Sequence, residues 1–333
     1  MFQMRTLFFK VMFGVFVVSL WSPVVNTGAP QDLNLEVIAE IPGPVELVRT
    51  DGDYAYVSGG HTFTVYDLSV PSSPVRRGSY TFPEEIWGFR LSGGRAYVGA
   101  NFFGLGILDV TNPDTLELLG QHKTLGQTKI GALAEGKVGI IDHMEGFVLI
   151  DVANETAPSG IGSFFLDGYA RDVVTAGTFA FATDSPSGLY VFDLSRDGEP
   201  EPVGLVHAPA APADIEVATS DTGAPMFIVG AGGGDVQVYD VSTPSMPRKL
   251  STFETPGRTS KVSLDGSLVF TADSDAGVHL VDLANPAMPK SLGAFSTPRP
   301  ARDVSVVGDL VLVVVGDSER EGDDRHILVL ERQ

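Results

Sequence analysis

Short apolar runs, alternating or continuous, are separated by Gly, Asp, Ser and Pro along almost the whole chain, and no stretch keeps the 3.6-residue period of an amphipathic helix. The string Gly188-Leu-Tyr-Val-Phe-Asp-Leu-Ser195 is the clearest of these runs. It returns as Phe63–Ser69, Leu105–Thr111, Phe147–Ala153, Val236–Ser242 and Val278–Ala284. Each copy ends a β-prone run on an aspartate, and Asp67, Asp109, Asp151, Asp193, Asp240 and Asp282 are spaced by 42, 42, 42, 47 and 42 residues. His326–Glu331 is a degraded seventh copy with glutamate at that position. A period of ~40 to 50 residues with several strands per repeat marks a β-propeller blade.

Each unit reads as four short strands. In the fourth unit these are 170–175, 179–183, 189–192 and 202–206, with turn-forming segments between them as antiparallel hairpins require. A longer hairpin at Asp221–Pro225 accounts for the spacing of 47. The last unit stops after its third strand, whereas Leu35–Ile41 resembles the fourth strands and precedes the first unit. The expected architecture is therefore all-β: a seven-bladed β-propeller of four-stranded antiparallel blades, closed by the N-terminal strand pairing with the last blade.

The resemblance of these units, with the Pro-rich turns Val70–Pro74 and Asn285–Pro289 that follow them, is to the LVIVD-repeat family of bacterial and archaeal exported or cell-surface proteins. It covers about residues 35 to 333. The family implies a propeller and brings no catalytic motif.

Residues 1–29 stand apart from the repeats. Arg5 and Lys10 precede the apolar run Val11–Trp21, and Ser22-Pro23 ends it, which is the plan of a secretory signal, retained as an anchor if Pro30 blocks cleavage. The expected organisation is a leader over 1–29 and one propeller domain over 30–333, placed in the periplasm, at the cell surface or in the medium. Contact with a membrane is expected only through an uncleaved leader. The absence of cysteine removes disulfides and thiolate chemistry. The net charge of -20 disfavours nucleic acid as a partner and attracts cations, so weak Ca2+ binding is an expectation.

The repeat aspartates are spread over different blades, and each suits an Asx turn. Candidate chemistry gathers instead at one mouth of the channel, where first strands begin and second strands turn into third strands. The first strands contribute Trp87, Lys129, Arg171, Asp172, Asp214, Lys261, Arg302 and Asp303, and the hairpins Asn101, Phe102, Phe103, Asp142, His143, Asp184, Asp273 and Asp317. Arginines beside acids can take a carboxylate or sulfate, and the aromatics can take a sugar ring or a partner side chain; the same charges can equally pair with one another across the channel. Trp87 with Phe102 and Phe103 reads as a ligand platform or as an apolar plug, and two adjacent phenylalanines cannot both enter one core. No metal-ligand spacing, nucleophile elbow or phosphate-cradling loop is present, so no cofactor or resident metal is expected. The function expected is a non-enzymatic binding or scaffold module for a protein, small-molecule or carbohydrate ligand. The alternatives are a hydrolase or lactonase with its site at the mouth, and a purely structural surface repeat.

Overall fold

The computed structural model describes residues 24–25, 33–134, 136–185, 187–207, 214–219, 225–232, 234–317 and 324–333. The strands of this all-β propeller form six four-stranded antiparallel sheets and one sheet of five strands. In chain order these are sheet 1 (47–81), sheet 2 (86–122), sheet 3 (128–164), sheet 4 (169–207), sheet 5 (214–254), sheet 6 (261–295) and sheet 7 (301–332). One short 3-10 turn, Asn101–Phe103, interrupts the pattern.

Each sheet runs up and down from the channel outward. The third strands are apolar on both faces because both are covered, and in Gly188–Asp193 every residue but the aspartate is buried. The outermost strands carry exposed positions, as in Val75–Thr81. Rings join neighbouring sheets: Phe147 stacks on Phe192 at 4.2 Å between sheets 3 and 4, and Phe63 meets Phe89 edge-on at 4.9 Å between sheets 1 and 2. The apolar core is thus divided among the spaces between sheets.

The third strand needs glycine at its start for two reasons. Gly146 has φ +82, and a Cβ there would lie 2.4 Å from the Phe164 carbonyl oxygen; Gly104 and Gly277 are placed in the same way. At the other end of that strand the repeat aspartates close Asx turns, as when Asp67 Oδ1 accepts the Ser69 N–H at 2.9 Å and its hydroxyl at 2.6 Å. Asp109, Asp151, Asp193, Asp240 and Asp282 likewise accept the N–H of the residue two ahead.

Leu35–Ile41 pairs antiparallel with His326–Arg332, running from Leu35 opposite Arg332 to Ile41 opposite Ile327, and so supplies the outer strand of sheet 7. Within the channel Asp303 of sheet 7 accepts the Val48 N–H of sheet 1 at 2.9 Å, so the ring is also tied at its inner wall.

One expectation is modified. Four strands per sheet holds for six sheets, while sheet 5 gains a fifth because Val24–Val25 lies parallel to Thr252 and Phe253. That dipeptide falls inside the expected leader, whose other residues lie outside the described ones, as does most of the hairpin expected at 221–225. Among the described residues no helix is long and apolar enough to cross a membrane.

Candidate functional site: the channel-mouth face of sheets 2 to 4

At the mouth end lie the starts of the innermost strands, the hairpins between second and third strands, and the connectors from one sheet to the next. The sixteen residues singled out from sequence separate there into groups with different roles.

Asp172, Asp214, Asp303 and Lys261 line the inner wall and tie sheets together. Asp172 Oδ2 accepts the Ile215 N–H at 3.0 Å, and Asp214 Oδ2 accepts the Val262 N–H at 2.9 Å while its other oxygen meets Lys261 Nζ at 2.6 Å. Asp303 holds Arg49 at 2.8 Å, and Arg90 reaches Asp172 at 3.6 Å. Burial raises the Asp172 carboxyl above its usual range despite Arg90. Burial acts the same way on Asp214, but Lys261 and Arg49 outweigh it and hold that carboxyl low. Burial would lower the Lys261 ammonium; Asp214, Asp172 and Asp303 reverse this. Charges desolvated in this way need their partners to remain in place. Arg49, Arg90 and Glu216 belong to this network and escaped the sequence reading, although a two-residue step from Leu47, Gly88 and Asp214 along each first strand leads to them. Glu216 is pushed up by burial, with partial relief from Arg90 and Arg49, and helps line a cavity of ≈ 250 Å³ at the far end of the channel.

Asp142, Asp184 and Asp273 occupy one repeated position at the end of the second strand and hold the connectors. Asp142 Oδ2 accepts the Gly126 N–H at 2.9 Å, Asp184 Oδ2 the Gly168 N–H at 2.9 Å, and Asp273 Oδ1 the Thr259 hydroxyl at 2.7 Å. Asp142 also accepts from Met144 and Glu145 within its own hairpin. Paired threonines brace the same loops: Thr124 to Thr128 at 2.5 Å and Thr255 to Thr259 at 2.7 Å. These three carboxylates shape the face and are not presented to a ligand.

Arg302 donates to the Gly316 carbonyl at 3.0 Å, and Asp317 and Asp324 share Arg299 at 3.5 and 3.1 Å, so sheet 7 uses its own charges locally. Phe103 packs edge-on against Phe82 at 5.4 Å, whereas Phe102 stays half exposed. Asn101 has φ +29, and its amide lies 3.5 Å from Glu84 Oε2. Trp87 makes its ring contact with His143, and among the described residues no ring contact joins it to Phe102 or Phe103. Among the described residues no three metal-binding side chains converge.

What the fold does bring together is Trp87, Lys129, His143 and Arg171, with Tyr169 added. Lys129 Nζ lies 5.5 Å from the Trp87 ring centre, Trp87 meets His143 edge-on at 5.8 Å, His143 meets Tyr169 at 5.0 Å, and the Arg171 guanidinium lies 5.7 Å from the Tyr169 ring. These residues come from three neighbouring sheets. Burial lowers the Lys129 ammonium, and Lys261 and Arg171 add to this, against Asp172. Burial also lowers the His143 imidazole, followed by Lys129 and partly offset by Asp142. Beside the cluster, between sheets 3 and 4, is a cavity of ≈ 50 Å³ bordered by His143, Phe165 and Tyr169.

Several large apolar side chains are exposed on the same side. Leu125 is 71% exposed, Phe165 67%, Met144 65%, Tyr169 54% and Phe102 50%. All five lie on the mouth side of sheets 2 to 4, four in hairpins or connectors and Tyr169 at the start of a first strand. The sequence reading missed four of them because single apolar residues in loops carry no periodicity.

Sheet 6 holds one further grouping. Ser291 Oγ lies 2.7 Å from His279 Nε2, and His279 Nδ1 lies 3.9 Å from Asp273 Oδ2. The residue types are those of a nucleophilic triad, but the imidazole is 2% exposed and packs on Phe253 at 5.5 Å.

The LVIVD repeat matches the chain at residues 42–82, 86–124, 167–206 and 256–297. These segments fall on sheets 1, 2, 4 and 6, with the connectors around them. Among solved structures, the WD40 repeats of RRP9 are similar with a TM-score of 0.69 at 13% identity, over 91% of this chain and 99% of that one. A mitotic checkpoint complex chain gives 0.65 at 10% identity over 98% of each, and the computationally designed Ika8 protein 0.62 at 8% over 86% and 85%. Likeness at such identity concerns the fold alone. No curated protein sequence gives a significant match.

Proposed function

The chain is an LVIVD-repeat protein, and we propose that it is a non-enzymatic binding module that docks a protein partner on the mouth face of sheets 2 to 4. One observation carries this reading: among the described residues, five of the ten large apolar side chains that are exposed lie on that face of three adjacent sheets. Scattered apolar residues are ordinary on a protein surface, whereas a contiguous group of them marks an interaction site. Trp87, Tyr169 and Arg171 belong to the residue types enriched at the energetic centres of interfaces. The locked connectors favour a preformed surface, because little chain entropy is lost when a partner settles on it. The signal-like pattern of residues 1–29 is what supports export, and on that reading the partner is sought at the cell surface, in the periplasm or in the medium.

The opposite face supplies a matched control. Met246 and Met288 are 76% and 67% exposed in the turns between third and fourth strands. Partner retention by the protein expressed in its native host is expected to fall at least tenfold in Leu125→Ser/Met144→Ser/Phe165→Ser, with an unchanged unfolding temperature, and to persist in Met246→Ser/Met288→Ser. Equal retention by both variants would remove the reading.

A further inference from the structure

The cationic groups at the centre of this face lack the partners that the neighbouring charges have. No ion pair or hydrogen bond to another described residue engages the Lys129 or Arg171 head group, whereas Lys261, Arg49 and Arg299 each hold a carboxylate. Each of the two cations lies over an aromatic face instead, Lys129 over Trp87 and Arg171 over Tyr169. Burial lowers the Lys129 ammonium, and the nearby Lys261 and Arg171 add to this against Asp172. His143 stands between the two rings with its Nε2 buried and without a hydrogen-bond partner. The partnerless Nε2 of His143 and the nearby like charges are both relieved by a single bound anion.

The surroundings narrow the anion. The chain carries a net charge of -20, and Asp172 and Asp142 lie within electrostatic range of Lys129 and His143. A field of that sign penalises a dianion about twice as much as a monoanion. The rings of Trp87 and Tyr169 and the side chains of Met144 and Phe165 offer contact to an apolar body attached to the charge.

We propose that Lys129, Arg171 and His143, framed by Trp87 and Tyr169, form a recognition site for a carboxylate carried on an apolar group. This deepens the docking reading and rests on it for the identity of the natural ligand, which is an acidic side chain or chain terminus next to an apolar residue of the partner. Lys129 and Arg171 supply charge-assisted hydrogen bonds, His143 adds a donor when protonated, and the rings hold the body of the ligand.

The test is a titration of the full chain with phenylacetate, followed through the imidazole resonances that disappear in His143→Gln. Phenylacetate is expected to shift them saturably and to raise the titration midpoint of His143, because the bound anion favours the imidazolium. Phenylacetamide, equal in size and uncharged, is expected to leave them in place. Arg171→Met and Lys129→Met are each expected to weaken phenylacetate about tenfold or more, the scale of one lost charge-assisted bond. Lys123→Met, an exposed lysine on the same face, is expected to change little. Arg171 is exposed, so Arg171→Met decides the matter alone if Lys129→Met does not fold. An equal response to the amide, undiminished binding in a folded Arg171→Met protein, or tighter binding of inorganic phosphate than of phenylacetate would overturn the assignment. N-acetylphenylalanine and an Asp-Phe amide separate a terminal from a side-chain carboxylate, and failure of both to bind would likewise overturn it. A phenylacetate response without loss of partner in the Leu125, Met144 and Phe165 variant rejects the docking surface alone. Loss of partner there without any phenylacetate response rejects the anion site alone.

Discussion

Between sheets 5 and 6 two groups with opposed titration behaviour are buried together. Burial pushes Asp273 up to about 6, so between pH 4 and 6 it keeps a proton that the unfolded chain has released. From this group alone, stability falls as pH rises through that window. His279 is pushed down to about 4 by burial and is neutral when folded over a range where the unfolded chain is protonated, so its contribution rises with pH. The two slopes cancel over most of the window. His279→Gln is expected to expose the Asp273 slope: in the variant itself, urea-unfolding stability falls by about 3 kcal/mol between pH 4 and 6.5, a shift of about two pH units at about 1.4 kcal/mol each. A variant whose stability stays flat over this window would show that Asp273 is ionised throughout. The sequence made Asp273 visible as a turn aspartate, but its partners are Thr259 in a connector and His279 on the next strand, a pairing that only the sheet register creates. The network of Arg49, Arg90 and Glu216 was hidden for a similar reason. Each looks like a polar residue alternating out of a core, and only closure of the ring turns that direction into a channel.

At the scale of elements, the repeat was the most legible feature. The aspartate spacing, the Asx turns and the outer strand at Leu35–Ile41 follow from local chemistry and from counting strands in the last unit. Val24–Val25 could not be anticipated, because two valines at the end of an export-like segment carry no pattern of their own. The connectors were also opaque: the locks made by Asp142 on Gly126 and by Asp184 on Gly168 join residues 16 apart through a hairpin. Removing Leu35–Ile41 strips the outer strand from sheet 7 and exposes the edge His326–Arg332. An exposed edge recruits further strands. The truncated protein is expected to lose its single cooperative unfolding transition and to associate in size-exclusion chromatography. A monomer that unfolds in one transition as sharp as the parent's would show that Asp303, Val48 and Arg49 close the ring without this strand.

For the whole molecule, ring closure turns single loop residues into a surface. Trp87, Lys129, His143, Tyr169 and Arg171 come from three sheets and meet only because successive innermost strands stand side by side, so no linear motif marks the site. The two ends of the channel also differ in character. The mouth carries apolar side chains around two cations that form no ion pair with a described residue, and the far end a cavity beside Arg90 and Glu216. The central claim is that a partner uses the first of these. It is tested most directly by placing a photo-crosslinking amino acid at Phe165 or at Met288 of the full chain in its native host and comparing the adducts. The account predicts one discrete adduct from position 165, lost when Leu125→Ser and Met144→Ser are added, and none from position 288. A discrete adduct from position 288 with none from 165 would contradict it.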